Sequence, residues 1–128
     1  MSDVIDSFHR TCNEKFVEKF YSIFLDSDPR IRPLFKKTDF AKQKQLLLHG
    51  IFVLLQYAEG KAVGELAIER LGELHSRTRM NISPDMYVTW VNCLMKALAE
   101  KDPQFSPVLE LRWRRALQKG INVMMAKY

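Results

Sequence analysis

Three expected element starts place a capping side chain directly before a proline, at Asp28-Pro29, Ser83-Pro84 and Ser106-Pro107, whereas Asp102-Pro103 lies in a turn, Lys101 to Phe105. The Asp or Ser oxygen accepts from the free N–H groups of a helix's first turn, and proline spends no N–H there and holds a helical φ. At those starts the pair opens a helix and rules out a central strand. Behind Ser83-Pro84 follow Met86, Tyr87, Trp90, Val91, Leu94, Met95 and Leu98, and behind Ser106-Pro107 follow Leu109, Trp113, Leu117, Gly120, Ile121 and Met124. Both sets recur at three and four residues, the spacing that lines one face of a helix. Asp28-Pro29 starts only a short turn reaching Phe35, because Pro33 limits its length.

The rest of the chain reads in the same period. Ser2 is placed to cap a first helix running through Cys12, with Val4, Ile5, Phe8 and Cys12 on one stripe and His9 at its edge. A second helix after Asn13 carries Phe16, Val17, Phe20, Ile23 and Phe24 and stops at Asp26-Ser27-Asp28-Pro29. Tyr21 lies one place round from Phe20, so its hydroxyl is carried inward and needs a partner. Thr38 is expected to cap a long helix whose inner face is Phe40, Gln43, Leu47, Gly50, Ile51 and Leu54, widened by Leu48, Phe52 and Leu55. Gln43 opens an amide onto that apolar wall, a place where a boundary glutamine is the ordinary explanation. Ala58-Glu59-Gly60-Lys61 breaks the chain before a helix that closes on Leu71-Gly72-Glu73-Leu74-His75. There is no strand pattern, internal repeat or low-complexity tract. The expectation is one all-α domain over residues 1–128 with six or seven helices, for which a bundle and a globin-like packing both serve.

Composition removes several classes of function. Apolar residues at 47% exclude a disordered chain, and charged residues at 27% exclude a membrane span. The opening Met1-Ser2-Asp3-Val4 lacks a basic segment followed by an apolar one, so a cytoplasmic location is expected. Cys12 and Cys93 show neither CxxC spacing nor a secreted context and read as free thiols. The net charge of +5 is spread in singles and pairs such as Lys36-Lys37, without interleaved aromatics, so nucleic acid is not the expected partner. A solvated basic surface that favours an acidic partner or ligand accounts for it.

His75 is the residue on which chemistry would turn. Leu71 lies four residues before it, so the two share a helix face, with Leu66 and Leu74 to one side and Glu65, Glu69 and Glu73 elsewhere. A neutral imidazole turned inward has two nitrogens to satisfy, and a metal on one with a carbonyl or hydroxyl on the other does so. On its own, such a histidine is more often an ordinary hydrogen-bonded core residue.

Several residues then match one pattern together. Phe20-Tyr21, the string Pro29-Arg30-Ile31-Arg32-Pro33-Leu34-Phe35, Gln43 with Leu47, His75, Tyr87 and Trp113 resemble the bacterial single-domain globins and the haem domain of flavohaemoglobins, from about Phe16 to Tyr128. The resemblance implies an all-α globin fold and haem b, iron protoporphyrin IX, with His75 as the iron ligand and Phe35 packed on the haem. Tyr21, fourteen residues before Phe35, falls on the distal tyrosine, and Gln43, thirty-two before His75, on the distal glutamine. Leu47 then stands over the iron. Gln43 is preferred to Gln45 because Gln45 would put His49 in that place, which leaves His49 as a minor distal alternative. Further residues expected around the haem are Phe24, Phe40, Leu71, Ile82, Val91 and Leu94, with Tyr87 against His75. Arg79, Arg77 and Lys44 are candidates for the propionates.

The resemblance has two departures. The stretch from Phe35 to Gln43 is short, so the fourth (D) helix is expected to be a single turn or missing. No carboxylate follows Glu110, so the acidic partner that the catalytic flavohaemoglobins give the proximal imidazole is absent, and the Leu71 carbonyl is expected to orient the ring instead. The function so implied is that of a reversible binder of dioxygen, nitric oxide and carbon monoxide, a monomer or homodimer, with Tyr21 and Gln43 as donors, serving oxygen transport, storage or sensing. The alternative is nitric oxide dioxygenation or other haem redox chemistry with a separate reductase. A third reading, a globin-shaped interaction module without haem, leaves the polar pair Tyr21 and Gln43 without a purpose.

Overall fold

A computed structural model describes residues 2–128 and contains seven helices and no strand among them. They are α1 (Ser2–Thr11), α2 (Glu14–Phe24), α3 (Ile31–Leu34), α4 (Phe40–Ala58), α5 (Ala62–Leu74), α6 (Pro84–Lys101) and α7 (Pro107–Ala126). Among the described residues, no helix is long and apolar enough to cross a membrane. The side chain of Ser2, expected to cap α1, lies outside the described part.

The caps explain where the helices begin. Asn13 Oδ1 accepts the Phe16 N–H at 3.1 Å, and Ser106 Oγ accepts that of Leu109 at 3.1 Å. The start of α4 differs by one residue from the expectation: Asp39, not Thr38, caps it by accepting the Ala41 N–H at 3.0 Å. Thr38 is still in the preceding turn, its N–H given to the Phe35 carbonyl. Asp28 likewise closes a turn on Arg30 N–H at 2.8 Å instead of starting a helix, and α3 begins two residues after Pro29. Nothing helical separates α3 from α4, so the fourth helix of the expected pattern is missing.

Two layers result, in which α2 crosses α6 while α4 packs on α5 and both pack on α7. Close crossings need small residues. A methyl group at Gly64 would stand 2.6 Å from the Tyr57 backbone nitrogen, and one at Gly120 would stand 2.6 Å from Leu54 Cδ2. Between the layers lie Phe16, Phe20, Ile51, Leu55, Ile68, Leu94, Leu98 and Leu117, all fully buried.

The stripe of α1 is turned relative to the expectation. Val4, Ser7 and Thr11 take the deep positions, and Ile5, Phe8 and Cys12 are only half-buried. Ser7 is drawn in because its hydroxyl accepts from Trp113 Nε1 at 3.0 Å and donates to Asp102 Oδ2 at 2.6 Å. Arg10 closes the same carboxylate with a two-pronged pair at 2.9 and 2.8 Å. This cluster ties α1 to α7 and to the end of α6.

Candidate functional site

His75 is the residue on which α5 ends. Its backbone N–H donates to the Leu71 carbonyl at 3.0 Å, and its Nδ1 lies 2.7 Å from the same oxygen. A carbonyl only accepts, so in the neutral ring Nδ1 carries the proton and Nε2 holds a lone pair. Among the described residues nothing hydrogen-bonds that nitrogen. The half-buried ring faces Tyr87 of α6, centroid to centroid 6.4 Å, without a hydrogen bond between them. Burial pushes the Tyr87 hydroxyl up to about 12, so it stays protonated at neutral pH.

A second cluster forms where α2, the α3–α4 corner and α4 meet. Tyr21 packs edge-on against Phe35 at 5.9 Å and Phe40 at 5.6 Å, and Phe24 closes on Phe35 at 6.1 Å. Burial pushes the Tyr21 hydroxyl up to about 12 against the pull of its hydrogen bond with Gln43. That bond, from Tyr21 Oη to the backbone carbonyl of Gln43, is long at 3.4 Å. A donor so loosely engaged is free to turn to a better acceptor.

Along α4 the three competing polar residues separate by exposure. Gln43 is half-buried, whereas Gln45 and His49 are exposed or nearer the surface than Leu47, which is buried one turn beyond Gln43. On the other wall Val91 and Leu94 are buried, with Leu71 and Ile82 half-buried. Leu66 and Leu74, read as flanking His75, turn outward at 55% and 43% exposure.

The three cations differ in what already holds them. Lys44 reaches Glu14 and Glu18 across to α2 at 3.7 and 3.6 Å, and the Arg77 guanidinium lies 4.8 Å over the Tyr128 ring. Arg79 is exposed and has no ion pair among the described residues. An open cleft of ≈ 760 Å³ also runs outside the aromatic cluster, between Leu25, Pro29, Pro33, Phe35, Lys36 and Phe40. Two of the rings that line it, Phe35 and Phe40, are those that pack against Tyr21.

Periodicity gave no hint of Asn81 and Tyr128. Asn81 adopts a left-handed φ of 54°, and its Oδ1 accepts from the Tyr128 hydroxyl at 2.7 Å. Asparagine tolerates that conformation better than most residues, which is the one local signal available.

The sequence model of the globin family matches residues 18–124. The chain is a globin. This globin is also similar to a Pseudomonas aeruginosa protein whose crystal structure is described as structurally highly homologous to a human haemoglobin. The two are 36% identical with a TM-score of 0.95, over 99% of this chain and 96% of the other. No curated protein matches the globin significantly in sequence.

Proposed function

We propose that this globin binds haem b through Nε2 of His75 and takes up dioxygen, nitric oxide and carbon monoxide reversibly, with Tyr21 and Gln43 as the donors facing them. The observation that carries the reading is the Leu71 carbonyl on Nδ1. It fixes the tautomer and aims a free lone pair from the end of α5. The donor set fits a haem: one neutral imidazole, apolar walls from Phe35, Phe40, Leu47, Leu71, Ile82, Val91 and Leu94, and Arg79 unclaimed for a propionate. Type b suits a chain whose Cys12 and Cys93 stand singly, with no paired cysteines before a histidine for covalent attachment. The bound iron would supply the ligand-binding and redox chemistry.

Each residue has its own task. Tyr21 keeps its proton at neutral pH and directs it at a partly negative diatomic ligand, competing only with a long bond to a carbonyl. Gln43 offers its amide from the edge of the same space, and Leu47, Phe35 and Phe40 keep water out. A carbonyl on the proximal imidazole leaves it less electron-rich than a carboxylate would, which favours holding a ligand over activating it. Reductase-driven nitric oxide dioxygenation is thus the lesser reading.

Absorption spectra of the purified protein in ferric, ferrous and carbonyl forms test this. The expected result is a haem spectrum that His75→Ala loses. Protein that takes up no added hemin, or a His75→Ala variant with an unaltered spectrum, rules the reading out.

A further inference from the structure

We infer that Tyr128 is a positioning residue for His75, holding the loop behind the histidine so that the imidazole keeps one orientation; this rests on haem ligation by His75. The chain between α5 and α6 turns tightly on itself. Met80 N–H donates to the Leu74 carbonyl at 3.1 Å, Asn81 N–H to that of Ser76 at 2.8 Å, and Ile82 N–H to that of His75 itself at 3.0 Å. To close these bonds Asn81 takes its left-handed conformation, which costs a residue with a side chain more than it costs glycine. A loop of largely exposed residues has no core of its own to hold such a turn.

The support comes from the segment after α7. The Tyr128 hydroxyl donates to Asn81 Oδ1 at 2.7 Å, the Arg77 N–H donates to the Tyr128 backbone oxygen at 3.2 Å, and the Arg77 guanidinium covers the tyrosine ring at 4.8 Å. Three contacts from one residue thus grip the loop at both ends, two residues and six residues beyond His75. The hydroxyl bond is solvent-exposed and modest alone. Ring and backbone contacts made by the same residue hold it in register. Release of Tyr128 frees Asn81, then the Ile82 bond to the His75 carbonyl, then the histidine.

The experiment compares the hemin-loaded chain with its Tyr128→Phe and Tyr128→Ala variants. Resonance Raman of the ferrous form reads the iron–imidazole stretching band, and hydrogen exchange reads the amides of Asn81 and Ile82 with and without hemin. Tyr128→Phe keeps the ring on Arg77 and should raise exchange at those two amides about 3-fold. Tyr128→Ala should raise it about 10-fold and broaden or shift the band, while amides inside α7 keep their protection. Unchanged exchange and an unchanged band in Tyr128→Ala overturn the proposal. A wild-type chain without an iron–imidazole band, or one that keeps the band in His75→Gly, overturns the haem reading instead, a failure the two Tyr128 variants do not mimic.

Discussion

The polar groups at the two ends of the molecule are treated in opposite ways. At the Asp102 end every oxygen of the carboxylate is taken, by Arg10, by Ser7 and by the Gln104 N–H, and Ser7 in turn receives the Trp113 indole. At the His75 end the imidazole keeps one nitrogen without a partner among the described residues, and the Tyr21 hydroxyl reaches only a distant carbonyl. Burying polar atoms is costly unless they are paired, so a closed network and an open one do different work. The closed one contributes stability and register, and the open one is where, on the proposed function, a ligand would complete the pairing. Thr11 Oγ1, buried and without a partner, fits neither description, and nothing in the structure accounts for it.

Measurements that separate the two ends run from large effects to none. Asp102→Ala should cost about 2–3 kcal/mol in urea unfolding, because Ser7 and Trp113 lose the acceptor that organises them while Arg10 regains water. The carbonyl spectrum should survive in that variant, and its loss would mean the two ends are not independent. Tyr21→Phe should do the reverse, leaving stability within about 1 kcal/mol and speeding dioxygen dissociation about ten-fold or more, a ratio near 1.4 kcal/mol. An unchanged off-rate in stopped flow removes Tyr21 from the site.

The pH dependence divides in the same way. Burial alone would push the Asp102 carboxyl up, but the hydrogen bonds from Arg10, Ser7 and Gln104 N–H and the Arg10 charge outweigh it and hold it at about 2. A carboxyl held below its ordinary value of 3.8 stabilises the fold at higher pH, and that stability drains away as pH falls from about 4 toward 2. The loss should be about 2 kcal/mol in acid titration of the unfolding midpoint, and missing from Asp102→Asn. Smallest of all, Gln45→Ala and His49→Ala should change dioxygen dissociation less than about two-fold, since neither side chain is buried beside Leu47. A large effect from His49→Ala would restore it as the distal residue in place of Gln43.

Most helices were readable from local signals: Ser106-Pro107 caps and starts α7, α2 begins directly after Asn13, and Ser83-Pro84 starts α6, although Ser83 gives its hydroxyl to Asp85 and does not cap the helix. Boundaries slipped where two capping residues adjoin, as at Thr38 and Asp39, since sequence cannot say which one leaves the preceding turn. The Leu71 carbonyl on His75 was foreseeable, being a bond within one turn of helix. The Ser7–Asp102–Trp113 network was not, because its members stand 95 and 106 residues apart and nothing local marks a serine for the inside of α1. Asn81 and Tyr128 escaped for the same reason. The family resemblance supplied the roles proposed for Tyr21, Phe35 and Gln43, which periodicity alone does not distinguish from ordinary core and boundary residues.

Gly72 sits nearly one turn ahead of His75, where an added methyl group would stand 3.2 Å from the Met124 Cα and 3.0 Å from Lys127 Cδ. Here α5 rests closely on α7, with the Met124 main chain on one side and only the Lys127 side chain left to give way. A single carbon added at Gly72 would have to move the Lys127 side chain and press on the Met124 main chain by a few tenths of an ångström, at a point three residues before His75 on the same helix.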